Sequence, residues 1–364
     1  MARALFILKK RKLYGSDVPA GIDGSSSSGL FNSAKFVSDM LDAQYGIESK
    51  VVEVVDNNDI DREVSNYLPS HVFIEALWVV PEKFDVLTSL HPHVQWIIRL
   101  HSNTPFLSNE GVAFDWIQKY LTKPNVSVSA NHALMFEDLV TLFPNSARDS
   151  IQLHPNYYPF RKWIGDIEEF PTFWSKRVRK YHRRETDIVK VGCFGAIRPL
   201  KNQVTQAVGA IRFAEQENIT LHFHINSARV ERGENALKNL RALFANSRHK
   251  LIEHSWMPHS VFRDLVASMD VIMQVSFSET FNIVTADAVS QGVPVVVSKE
   301  IDWIAASFWA DPTDTYCIAH KLKKALECPT GPWRNAKGLK RYNRWSREVW
   351  LDYFDGERDY RVDL

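Results

Sequence analysis

The sequence predicts an α/β protein built from two doubly wound domains, each a parallel sheet with helices on both faces. Three observations carry this. Short, continuous apolar runs alternate with helical stretches along most of the chain, as buried parallel strands and their crossover helices require. The stretch from Asp270 to Val297 is the clearest such unit: strand, turn, helix ending at Gly292, then the run Val293–Val297. At 364 residues the chain has room for two sizeable cores.

Taken in order, Ala4–Leu8 reads as the first strand. A small-residue loop follows, containing Gly15, Ser27 and Ser28, then a helix with Leu30, Phe31, Ala34, Val37, Met40 and Leu41 on one face. Such a loop lets a ligand approach the backbone closely, or is simply a surface loop. Further strands are predicted at Val51–Val55, His71–Leu77, Val94–Leu100 and Val126–Ala130. The ligand crevice of such a domain lies at the carboxyl ends of its strands, where His101 falls. Glu75 sits inside an apolar run; a carboxylate there is costly unless paired, and a nearby arginine is the expected partner.

Residues Phe160 to Arg184 interrupt the pattern with eight Lys/Arg against three Asp/Glu, interleaved with aromatics. That mixture grips phosphates and stacks on bases or sugars, or else packs an interdomain connection. The second domain opens at Ile188, with Arg198, Lys201 and Asn202 in the turn before a helix running through Glu217. Leu221–Asn226 and Leu251–His254 are its next strands, and Val261–Met269 is helical. The expected division is 1–185, 186–340, and a final helix, 341–364, whose buried face is Trp345, Val349 and Trp350.

Two acids give the Asp270–Val297 unit a chemical reading. With a helix from Thr280 to Gln291, capped by a hydroxyl at Ser276 or Ser278, Glu279 lies at its mouth and Asp287 eight positions on. That separation is about 12 Å along a helix axis and only about 80° around it. Two carboxylates so placed suit an elongated ligand with hydroxyls at both ends, and the helix amides suit phosphates between them. A sugar–diphosphate–nucleoside has that shape; a solvated acid pair is the alternative.

The phrase Ser276, Glu279, Thr280, Phe281, then Asp287, Ala288, Gly292, Pro294, Val295, Val296 resembles the signature of the GT-B-fold, retaining glycosyltransferases of family four. Asn282 stands where that family has glycine, and Asp287 where it has a second glutamate. The turn Gly195–Asn202 is similar to the family's diphosphate-binding turn: Lys201 matches in register, whereas Ala196 occupies the arginine position and Arg198 stands two residues later. Weaker likenesses run through Ser129–His132 and Ile151–Tyr157.

The resemblance implies two Rossmann-like domains facing across a cleft, the first binding acceptor and the second the nucleotide-sugar donor. It further implies a last helix crossing back to the first domain. Glu279 would hold sugar hydroxyls, with Ser278, Thr280, Phe281 and Asn282 lining the same loop. Asp287 would hold the ribose, Arg198 and Lys201 the diphosphate, and Trp256 or Met257 the base. His101 would face the transferred sugar or acceptor, and Gly15, Ser27 and Ser28 would lie beside the diphosphate and acceptor. The nucleotide sugar is then a co-substrate, with no cofactor and no metal expected. Asp59-Ile60-Asp61 is similar to the metal-binding D-x-D of the other glycosyltransferase fold, but reads as a turn and helix cap.

Composition narrows the rest. A net charge of +1 gives no global preference for nucleic acid or membrane. Three widely spaced cysteines fit reduced cytoplasmic thiols, and no apolar run has membrane-spanning length. The acceptor is open between a glycan or small molecule and a hydroxymethylated base in DNA, the latter motivated by Phe160–Arg184. The alternatives are a nucleotide-sugar epimerase of the same fold and a non-catalytic nucleotide-sugar-binding protein. Oligomeric state has no signal.

Overall fold

The computed structural model describes residues 2–10, 29–146, 150–159 and 187–356. The chain divides into two compact units. Among the described residues, the first takes 2–10, 29–159 and 343–356, and the second takes 187–342.

The first unit holds strands β1 (Arg3–Lys9), β2 (Glu48–Val54), β3 (His71–Glu75), β4 (Gln95–Leu100), β5 (Val126–Ala130) and β6 (Ile151–Leu153). They pair in the order β2-β1-β3-β4-β5-β6, every pair parallel. The order reverses between β1 and β3, which fixes where a ligand crevice opens. β1 alternates between two cores, as strand geometry demands. Leu5 and Ile7 pack with the cluster around Phe84, Trp96 and Tyr120; Ala4, Phe6 and Leu8 pack with Val37, Leu41 and Trp350.

Trp350 comes from the last helix, Gly331–Asp355. Its ring meets Phe73 at 5.1 Å and stacks on His154 at 4.5 Å, and its Nε1 donates to the Pro155 carbonyl at 2.8 Å. The helix does return to the first unit, but Trp345 and Val349 are only half-buried. Asn343, Ser346 and Trp350 are the buried residues of this part. Asn343 wins a core place because its amide bonds both the N–H and the carbonyl of Tyr158.

The second unit holds β7 (Ile188–Gly192), β8 (Thr220–Asn226), β9 (Lys250–His254), β10 (Val271–Gln274) and β11 (Val295–Val297). Their order is β11-β10-β7-β8-β9, again all parallel, the Rossmann order read from the far edge. Here the reversal lies between β7 and β10. No helix among the described residues is long and apolar enough to cross a membrane.

Candidate active site

The carboxyl ends of β7 and β10 carry the two loops singled out in the sequence. After β7 the chain turns at Gly195, where φ is +116°, a conformation side-chain-bearing residues avoid. It then makes a short 3-10 turn, Pro199–Lys201, before the helix Gln203–Gln216. Asn202 joins turn to helix with φ +57°, and its amide donates to the carbonyls of Val275 (3.1 Å) and Pro312 (2.7 Å). Gln206 ties the same junction, donating to the Lys201 carbonyl (2.7 Å) and accepting from the Val275 N–H (2.9 Å). The Phe277 N–H donates to the Leu200 carbonyl at 2.9 Å. The β7 and β10 loops are therefore stitched together by backbone and amide bonds, so their side chains meet in fixed geometry.

The side chains that meet are Lys201 and Glu279, with Nζ 2.5 Å from Oε1 and exposures of 20% and 9%. Beside Glu279, the buried hydroxyls of Ser276 and Ser278 find no hydrogen-bond partner among the described residues. Buried hydroxyls left unpaired are costly unless a ligand or water takes them up. Cys193, just after β7, is sealed; burial pushes its thiol up to about 12, which leaves it an inert packing group.

The helix expected from Thr280 begins instead at Ile283 and runs to Ser290. Its cap is Asn282, not a serine. The Asn282 carboxamide oxygen accepts from the Thr285 N–H at 2.8 Å and its Nδ2 donates to Gln274 Oε1 at 3.0 Å. Asn282 also adopts φ +59°, the left-handed region where asparagine is the least strained substitute for glycine. This accounts for asparagine at the family's glycine position. Because Glu279 precedes the helix, the relation of 12 Å and 80° to Asp287 does not hold. Phe281, in the same loop, has its ring fully buried, 5.5 Å from Trp303 and 4.9 Å from Tyr342. Thr280 is buried.

Asp287, 1% exposed, is held by a residue the sequence reading missed. His259 begins the helix His259–Ala267, and its Nε2 lies 2.7 Å from Asp287 Oδ1. Arg198 likewise has an unforeseen partner, Glu231, whose other carboxylate oxygen takes Arg229, both at 2.5 Å. Burial lowers the Arg198 guanidinium pKa, and Glu231 partly offsets that. Arg229 in turn lies over the Trp256 ring at 5.3 Å, while Met257 is half-buried. The Glu231 loop is anchored to the Arg198 loop by parallel pairing of Ile197 with Val230. Residues thirty apart in sequence leave no periodic trace of such contacts.

In the first unit, His101 directly follows β4, with Nε2 on the Glu75 carboxylate and Nδ1 3.4 Å from Asn131 Nδ2. The expected partner of Glu75 is Arg99, fully buried, reaching both carboxylate oxygens at 3.2 and 3.3 Å. Arg99 also donates to the carbonyls of His154 and Pro155 and to Asn156 Oδ1. Burial alone raises the Glu75 pKa, but Arg99 and His101 outweigh it and hold the carboxyl below its ordinary value. Burial lowers the His101 pKa against the pull of Glu75. Ala76, next in chain, holds φ +71°, a strained value for alanine.

Gly15, Ser27, Ser28 and the Phe160–Arg184 stretch lie outside the described residues. Asp59 and Asp61 occupy the first turn of the helix Asp59–Tyr67, paired with Arg62 and His91. Among the described residues, no group of three or more His, Cys, Asp or Glu could hold a metal ion.

Residues 170–302 match the model of a family described as Family 4 Glycosyltransferase in conflict systems. No curated protein matches the chain in sequence. Among solved structures, a UDP-forming α,α-trehalose-phosphate synthase from Burkholderia vietnamiensis aligns with TM-score 0.63 at 11% identity, covering 98% of this chain and 97% of that one. Trehalose-6-phosphate from E. coli bound with UDP-2-fluoro glucose aligns with TM-score 0.65 at 10% identity, covering 96% and 98%. The N-terminal domain of Candida albicans trehalose-6-phosphate phosphatase gives 0.59 at 10%, covering 98% and 97%. Identities this low carry the fold, which is GT-B.

Proposed function

We propose that the chain, which has the GT-B fold and matches a glycosyltransferase family model over residues 170–302, moves a sugar, with retention of anomeric configuration and without a divalent metal, from a nucleotide-diphosphate sugar to an acceptor hydroxyl. The observation that carries this reading is the Lys201–Glu279 pair at the carboxyl ends of the two strands where the second sheet reverses. A carboxylate there accepts hydrogen bonds from sugar hydroxyls, while the ammonium beside it takes the phosphate to which that sugar is joined.

In the transfer, the bond from the anomeric carbon to the phosphate oxygen breaks as the bond to the acceptor oxygen forms. The acceptor's proton passes to the departing phosphate. Negative charge therefore grows on the diphosphate, and Lys201, Arg198 and the first amides of the helix Ile283–Ser290 are the groups that stabilise it. This cationic set supplies the charge that a metal ion supplies elsewhere. Asp287 holds the ribose and Trp256 flanks the base. The first unit binds the acceptor, with His101, oriented by Glu75, as its polar contact.

The acceptor is a glycan or small molecule, or a hydroxymethylated base in DNA. The basic, aromatic Phe160–Arg184 stretch supports the DNA version, as does a family placed in conflict systems, where marking nucleic acid is a chemically sensible use of sugar transfer. The test is to incubate the protein with each common nucleotide sugar, with and without hydroxymethylated DNA or a mixed glycan pool, and follow free nucleoside diphosphate. Acceptor-dependent release that collapses in Glu279→Ala is the expected result. Release without any acceptor, or none with any donor and either acceptor, sinks the reading.

A further inference from the structure

We propose that the exposed face of the first turns of the last helix, residues 331–342, is a docking surface for the phosphate backbone of duplex DNA. The inference stands apart from the sugar-transfer reading: it concerns other residues and needs no nucleotide sugar.

Three observations support it. The exposed residues of this part of the helix are Arg334, Lys337 and Arg341, all of them cations. Their spacings of three and four set them within about 60° of one another around the helix, over about 10 Å of its axis. Second, none of the three makes an ion pair among the described residues; the Lys337 ammonium lies instead 3.5 Å from the centre of the Trp333 ring. Third, other exposed cations are neutralised by the fold itself: Lys119 by Asp115, Arg241 by Glu253 and Arg248 by Glu215. In a chain whose 44 Lys and Arg stand against 43 Asp and Glu, an unneutralised row is a local feature and not a consequence of overall charge.

The dimensions of the row select the partner. Each strand of duplex DNA carries one phosphate per about 3.4 Å of axis, so about 10 Å of helix meets about three phosphates with three cations. Two of the three are arginines, whose planar forks take phosphate oxygens in pairs. A helix backbone keeps the row straight, which suits a stiff duplex better than a flexible single strand. A lipid surface asks for apolar residues on the exposed face, whereas Pro332, Ala336, Leu339 and Tyr342 are all buried. Contacts to phosphate alone carry no base information, so the binding is independent of sequence.

The experiment is fluorescence anisotropy of a labelled duplex of about 20 base pairs, titrated with the full chain from about 50 to 200 mM KCl and without nucleotide sugar. Wild type is compared with a helix variant, Arg334→Gln, Lys337→Gln and Arg341→Gln together. A control variant, Lys119→Gln, Arg241→Gln and Arg248→Gln together, makes the same change in charge at paired sites. The expected result is at least about tenfold weaker binding by the helix variant at the lowest salt. Its dependence of log Kd on log salt should be shallower by about two to three, with the wild-type slope kept by the control. If the helix variant melts early, Arg334→Gln with Arg341→Gln should lower the slope by about one to two. Equal slopes in wild type and helix variant overturn the proposal, even where wild type binds DNA through another surface. An equal fall in the control makes the effect one of net charge and overturns it too. So does wild type that binds no duplex, or that prefers single-stranded DNA, phosphatidylserine vesicles or polyglutamate. None of these outcomes touches the transferase reading, which the release of nucleoside diphosphate tests separately.

Discussion

Each unit places a base beside an acid at the carboxyl end of its sheet, and the two pairs are built oppositely. Arg99 and Glu75 are both fully buried, and the guanidinium reaches two carboxylate oxygens, two carbonyls and an amide oxygen of its own chain. Lys201 and Glu279 meet at 2.5 Å, keep 20% and 9% of their side-chain surface exposed, and neighbour two buried hydroxyls that have no hydrogen-bond partner among the described residues. A pair saturated by its own fold is there to hold strand ends and orient His101. A pair that keeps contact with water, beside such hydroxyls, is open to a ligand. The difference separates architecture from chemistry more sharply than residue type does.

Breaking each pair in turn tests the contrast. Arg99→Ala strands a buried carboxylate and should lower unfolding free energy by about 3–5 kcal/mol in urea titration. A loss below about 1 kcal/mol would show that the first pair is not structural. Lys201→Ala should leave stability within about 1 kcal/mol, since its partner remains near water, yet cut kcat about 10²–10³-fold, as removal of one donor from a developing anion does. Equal kcat in mutant and wild type would put the chemistry elsewhere.

A smaller effect sharpens the account of the second loop. Asn282→Ala removes a cap and forces alanine to φ +59°, for a loss of about 1–2 kcal/mol. Asn282→Gly gives up the cap but relieves the backbone, and should fall within about 0.5 kcal/mol of wild type. Matching losses for the two would mean that backbone strain plays no part.

The smallest effect near neutrality is acid sensitivity. Burial lowers the His71 and His224 pKa values to about 4, one in each unit, against 6.5 in the unfolded chain. Between those values the unfolded state binds protons that the folded state refuses. Stability should therefore be full above pH 6.5 and decline as pH falls toward 4. His71→Asn should flatten that slope in chemical denaturation followed across the window.

The strands were largely legible: Val126–Ala130 is found as read, and β1 extends the expected run by one residue at each end. Continuous apolar runs have few other uses in a chain of this composition. The start of the helix after Glu279 was not legible. Ser276, Ser278 and Thr280 are all chemically fit to cap, and the choice of Asn282 depends on a backbone angle that periodicity does not encode. Lys201 was found through its register in a turn. His259 and Glu231 were missed because their partners lie 28 and 33 residues away, brought close only by the sheet. The glutamate in an apolar strand was the one buried contact that announced itself, since its desolvation demanded a cation.

The division of the last helix has a consequence for how the protein is made. Residues from Asn343 onward belong to the first unit, and Trp350 completes the face of β1 and β3. Yet Trp350 emerges from the ribosome only after every strand of the second sheet. The second unit can therefore close while synthesis is still under way, whereas the first must wait with Phe6 and Phe73 uncovered. The unit translated first is the one finished last, and during that interval it is the natural client of a chaperone.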